Sequence, residues 1–144
     1  MKFKLMGLTV VAAVLAVLVI GAAERMKNDA GAARMALAQA IVHARSGLPQ
    51  FRDRLQHPRE HDRAFFVRAE FSSKSGRDEY LWVKDVSLTP DGFAGEIAQQ
   101  PFLVDLKLDA PVDVPSDRVV DWTIKHDDRS LEGNFTQGLE PGSR

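Results

Sequence analysis

Glu79-Tyr80-Leu81-Trp82-Val83-Lys84-Asp85-Val86 is the densest strand signal in the chain, and it carries one of the two tryptophans. Apolar and aromatic residues crowd it, and no Gly or Pro interrupts it. Such a run suits a pleated strand buried on at least one face. Two other apolar runs, 64–71 and 102–108, read as its neighbours in a sheet.

The first of these alternates cleanly apart from Phe66. Phe65, Val67, Ala69 and Phe71 share one face, and Phe66, Arg68 and Glu70 share the other. The second sets Phe102, Val104, Leu106 and Leu108 against Leu103, Asp105 and Lys107. Ser, Lys and Gly between 72 and 78 predict a turn, hence an antiparallel hairpin with a long loop. Thr89-Pro90-Asp91-Gly92 predicts a second turn, because Pro presets φ and Gly admits positive φ. A short strand over 93–98 follows, with Gly95 as a bulge. Pro111 and Pro115 bracket an edge strand, 121–124 extends again, and 131–136 holds a last small strand.

Helices precede these strands. Residues 32–46 are rich in helix formers, led in by the polar stretch 24–31 with Asn28 or Asp29 as N-cap. Met35, Ala38, Val42 and Arg45 form one row, and Leu37, Ile41, Ala44 and Leu48 an adjacent one; together they make a broad apolar stripe. Gly47 closes this helix and Pro49 opens a shorter one. Phe51 and Leu55 lie on one face of it, and Arg52, Asp53 and Arg54 on its wet side. Helices first and strands after argue an α+β domain, with one or two amphipathic helices packed on a mostly antiparallel sheet of about five strands.

Ahead of the domain, Lys2 and Lys4 precede an almost wholly apolar run over 5–20, closed by Gly21-Ala22-Ala23. Positive start, apolar run and small residues describe a secretory signal cut after Ala23. At about 19 apolar residues the run is also near the ~20 of a membrane-spanning helix. Either way the lysines stay inside and the domain goes outside, so the chain is exported across the inner membrane, anchored facing the periplasm or released into it. The expected organisation is a signal or anchor over 1–23, a linker over 24–31, the domain over 32–137 and a tail over 138–144.

The chain has 144 residues, no Cys and a formal charge of −1. Without residues 1–23 the two lysines are lost, leaving 17 basic against 20 acidic residues, or −3. There is no basic excess or stripe of the kind that nucleic acid requires. The absence of Cys excludes disulfides and thiol chemistry. About 120 residues suffice to bury a core without such staples.

Ala40-Ile41-Val42-His43-Ala44-Arg45-Ser46-Gly47-Leu48-Pro49-Gln50-Phe51 resembles the helical opening of the bacterial domain-of-unknown-function family 2314, also called YegJ-like. Glu79-Tyr80-Leu81-Trp82-Val83 resembles its Glu-His-x-Trp strand. Asp91-Gly92-Phe93-Ala94-Gly95, Asp121-Trp122 and Gly133-Asn134-Phe135-Thr136 match its later landmarks. The resemblance runs over roughly 33–136. It implies an α+β domain and no particular activity. The chain departs from the pattern at Tyr80, where His is common, and at Asp109-Ala110-Pro111, where a Gly-containing turn is expected.

No residue set forms a chemical signature. His57 and His61 have the i, i+4 spacing of a helical metal pair, with Glu60 and Asp62 beside them, but Pro58 breaks the helix between them. Glu79 and Asp85 lie about 20 Å apart by strand rise, too far to share a proton. No cofactor is indicated. Asp121 suits a turn, accepting main-chain N–H groups, and Trp122 beside it suits a cover for the sheet. Tyr80, Trp82 and Phe66 fall on one sheet face. Covered by the helices, that face is core, the commoner outcome for so large an apolar area; left open, it offers aromatic surface to a peptide or glycan. Tyr80, Trp82, Asp121 and Trp122 are therefore the candidate partner surface. The leading expectation is a non-catalytic module that binds an envelope protein or peptide. The alternatives are a hydrolase of envelope material using Asp121, Glu79 or His126, and an immunity-type protein that neutralises a toxin.

Overall fold

Residues 79–86 do form a strand inside a sheet. The computed structural model describes residues 5–139, with side chains from Ala22 onward. Its elements are α1 (Leu5–Ser46), α2 (Leu48–Gln56), β1 (Asp62–Ser72), β2 (Asp78–Leu88), β3 (Gly92–Ile97), β4 (Pro111–Pro115), a 3₁₀ turn (Ser116–Arg118), β5 (Val119–His126) and β6 (Leu131–Gly133). The strands form a six-stranded sheet in the order β4-β3-β2-β1-β5-β6, and every pairing is antiparallel. This is an α+β fold with one strand more than the sequence suggests.

Residues 24–31, read as a linker, are part of α1. Nothing in that stretch breaks a helix: Glu, Arg, Met, Lys and Ala favour it, and Gly31 costs only about 1 kcal/mol. Among the described residues no helix is long and apolar enough to cross a membrane. The apolar run over 5–20, on which the leader expectation rests, lies outside the residues whose side chains are described.

Only one row of the α1 stripe is used. Leu37, Ala44 and Leu48 are buried, whereas Met35 and Val42 are about two-thirds exposed, at 66% and 69%. Of the second row only Arg45 reaches the sheet, donating to Val119 O at 2.8 Å and to Asp117 O at 2.9 Å. From α2, Phe51 enters the core at 1% exposure and touches Phe65, Phe93 and Trp122. Arg54, placed on the wet side by its spacing, is buried against Asp62. The helices cover the face of Val67, Ala69, Leu81, Val83, Trp122 and Ile124. Trp122 locks them there by donating its indole N–H to Ala44 O at 2.9 Å. Gly47 has to be small at this seam, because a Cβ there would lie 2.9 Å from the Trp122 ring.

The run 102–108 is not a strand. The tight Thr89–Gly92 turn brings β3 back as the neighbour of β2 instead. The 102–104 amides turn towards a side chain, the Glu79 carboxylate, and leave the ladder. The bulge lies on β2, not at Gly95. Lys84 pairs with Glu96 and Ser87 with Ala94, so Asp85 and Val86 together oppose Gly95. Asp85 takes the positive φ, +51°. Gly95 accommodates the bulge, since a Cβ there would come within 2.5 Å of Lys84 O.

Candidate functional site

The helices leave the other sheet face open. By the two-residue period and the register, Phe66, Arg68 and Glu70 of β1 share that face with Tyr80, Trp82 and Lys84 of β2 and Asp121 and Thr123 of β5. The expectation that the helices cover Phe66, Tyr80 and Trp82 is thus corrected. The face they take is the more uniformly apolar one, and the open face carries Arg68, Glu70 and Lys84, whose charges are costly to seal under a helix.

A groove of about 430 Å³ runs across this open face. Phe66, Arg68 and Trp82 form its floor, Ala98 and Thr123 its sides, and Leu131, Asn134 and Gln137 part of its rim. The rim exists because the chain after β6 folds back over the sheet. Gly133 (φ +85°), Asn134 (φ +62°) and Gly138 (φ +72°) allow that path. Gly133 is obligatory there: a Cβ would lie 2.3 Å from Trp122 O. Asn134 donates its main-chain N–H to the same carbonyl at 2.8 Å, and its carboxamide donates to that of Gln137.

Asp121 fastens the segment. Fully buried, it accepts the Trp122 N–H at 2.8 Å on Oδ1 and both the N–H and the hydroxyl of Thr136 at 2.7 Å on Oδ2. The Thr136 hydroxyl in turn accepts from Arg68 Nη1 at 3.0 Å. The Arg68 guanidinium stands over the Trp82 ring at 5.6 Å and the Tyr80 ring at 5.9 Å. Burial pushes the Tyr80 hydroxyl above its ordinary pKa, and the carboxylates of Glu70 and Asp78 add to the rise.

The four candidate partner residues therefore divide. Tyr80 and Trp82 are half-buried on the open face. Asp121 and Trp122 are buried; Trp122 points to the helices and Asp121 is spent on the fold-back. The three candidate reactive groups take different partners. Asp121 holds Thr136, Glu79 holds the amides of Phe102, Leu103 and Val104 at 2.8–3.2 Å, and His126 lies between Asp62 (3.2 Å) and Glu132 (3.6 Å). His57 faces Asp53 and His61 faces Asp127, so the two imidazoles do not form a pair. Among the described residues no three His, Asp or Glu side chains converge as metal ligands.

One cluster is absent from the sequence reading. Arg54 grips Asp62 through two hydrogen bonds, 2.7 and 2.9 Å, and its third nitrogen reaches Glu132 at 3.4 Å. Asp62 also accepts the Arg59 N–H at 2.8 Å. The bidentate Arg54 contact holds the Asp62 carboxyl down to about 2. Asp62 in turn raises the Arg54 guanidinium. This ties α2 to the start of β1 and, through His126 and Glu132, to β5 and β6. The spacing of Arg54 and Asp62 carries no helical or strand signal, because Pro58 turns the chain between them.

A family model described as an uncharacterized protein conserved in bacteria, DUF2314, matches residues 34–139. The chain belongs to this family. No curated protein and no solved structure shows detectable similarity to it. The DUF2314 match spans the last third of α1 and every later element, and so the whole groove. Within it, Trp122, Gly133, Asn134 and Thr136 are gathered by the Asp121 fold-back. Asp109 takes φ +63° at the position where the family resemblance implies a Gly-containing turn; Asp tolerates that region better than most residues.

Proposed function

We propose that this DUF2314 protein is an exported binding module of the bacterial envelope. Residues 5–23 lead or anchor it at the inner membrane, and the groove on the open sheet face receives an extended segment of an envelope protein or a peptide. The observation that carries this reading is the groove itself. Its volume lies in the ordinary range of ligand sites, ~300–1,000 Å³, and such sites pair apolar walls with a few fixed polar groups.

Two features favour a peptide. The Arg68 guanidinium stands over the Trp82 ring, 5.6 Å from its centroid, and crowds the face on which a sugar would stack. The rim carries the carboxamides of Asn134 and Gln137, each able to donate and accept as main-chain amides require. The outer edges of the sheet are poor alternatives. β4 carries Pro at both ends and β6 is three residues long, both recognised ways of blunting an edge.

A photo-crosslinking residue at Leu131, on the exposed rim, tests this in cells. The expected result is a discrete adduct with an envelope component that the same label at Gln50, on α2, does not yield. Identical labelling from both positions, or none from Leu131, overturns the reading.

A further inference from the structure

β2 has a second side that its neighbours only partly use. β3 pairs with it from Val83 to Leu88. Beyond Val83 the ladder continues for one bond, Ala98 N–H to Trp82 O at 2.8 Å. The return bond is missing: the Trp82 N–H goes to the side chain of Gln99, at 3.2 Å. The next main-chain groups facing this side belong to Tyr80, by the two-residue period, and among the described residues none hydrogen-bonds them. Over this stretch lies the irregular segment 98–104. Its amides at Phe102, Leu103 and Val104 all converge on the Glu79 carboxylate. Past the main-chain bond at Ala98, it is held to β2 by side chains, Gln99 near that end and Glu79 at the other. It also displays Phe102 at 87% exposure, with Leu103 at 38% and Leu108 at 46%.

We propose that β2 between Glu79 and Trp82 is a strand-addition edge, covered here by the 98–104 segment, and that an extended apolar peptide displaces that segment and pairs with the main chain of Tyr80 and Trp82. This rests on the binding role proposed above and names how the partner is read. The occupant is an extended peptide because the vacant groups are a strand's own donor and acceptor, which only another main chain matches in spacing. The site is continuous with the groove: Trp82 and Ala98 line both. A residue added opposite Tyr80 or Trp82 directs its side chain to the open face, as they do. The Glu79 carboxylate is then the latch, since it gathers three amides of the covering segment, and Phe102 is apolar surface that the partner can take up once the segment moves.

The test uses the full chain in detergent and the capped peptide acetyl-Thr-Val-Thr-Val-Thr-amide, followed by amide exchange and NMR shifts. Glu79→Ala is expected to bind the peptide at least tenfold more tightly than the parent, with the Tyr80 and Trp82 amides becoming protected. Gln99→Gly, which leaves Glu79 in place, is expected to shift binding the same way by a smaller factor, and it guards against a folding defect in the first variant. Peptide shifts confined to Leu131 and Asn134, with the Tyr80 amide unprotected, overturn the edge and leave the groove reading standing. Weaker binding in both variants makes the segment part of the site and also overturns the proposal. No shifts anywhere in any of the three proteins overturn both readings.

Discussion

Trp122 and Trp82 stand on β5 and β2, the two strands that flank β1, yet on opposite faces of one sheet. Trp122 is 4% exposed, flanked by Phe51 and Phe135, with its N–H spent on a helix carbonyl. Trp82 is half-buried on a groove floor beneath a guanidinium. The first ring is packed between the helices and core aromatics. The second is bordered by a fold-back and a loop that are each held by one main-chain bond and otherwise by side-chain hydrogen bonds. One face of the sheet secures the fold, and the other holds the groove proposed to receive a partner.

Truncating the two rings is the sharpest way to break that contrast. Trp122→Ala is expected to cost about 3–5 kcal/mol, the range for removing a buried aromatic, read as a shift in the urea midpoint. A cost similar to that of Trp82→Ala would dissolve the distinction between the faces. Asp121→Ala comes next, at about 3 kcal/mol, because it strands the Thr136 and Trp122 donors inside the protein. Proteolysis after β6 should rise with it, and an unchanged cleavage pattern would mean that the fold-back does not depend on this carboxylate.

Acid probes the helix-bearing side again. The Asp62 carboxyl sits near 2 when folded, against about 3.8 when free. Its pairing therefore stabilises the fold above about pH 4, and that contribution, about 1–2 kcal/mol after allowing for screening, is lost as pH falls from about 4 through about 2. Stability measured across that window should lose this slope in Asp62→Asn, and a slope that persists would assign the acid sensitivity elsewhere. The smallest effect is expected from Trp82→Ala, about 1 kcal/mol on stability. It should nevertheless abolish the Leu131 crosslink, which separates a binding surface from a structural one.

Much of the architecture is legible in the residues. Alternation along 64–71 and the crowded 79–86 run mark β1 and β2. Pro90 and Gly92 mark the turn that sets β3 beside β2, and Pro111 and Pro115 mark β4 as an edge. Asp121 does accept main-chain N–H groups, as its residue type suggests, but from within β5 and from Thr136, fifteen residues on, rather than at a turn of its own. The 102–108 run misleads for a specific reason. Its alternation is as good as that of β1, but a ladder needs free amides, and Glu79, more than twenty residues earlier, claims three of them. The Arg54–Asp62 pair is hidden in the same way: each residue alone looks like solvated charge.

Local chemistry was enough to set where the chain extends, coils and turns, since propensity and period act between near neighbours. Which face of the sheet the helices would occupy was not a local matter. Both faces carry aromatics, and the choice fell to the side where Leu81, Val83, Val67 and Ala69 present an uninterrupted apolar surface. The groove and its fold-back came into being only with that choice, through contacts between residues remote in sequence that no spacing along the chain records.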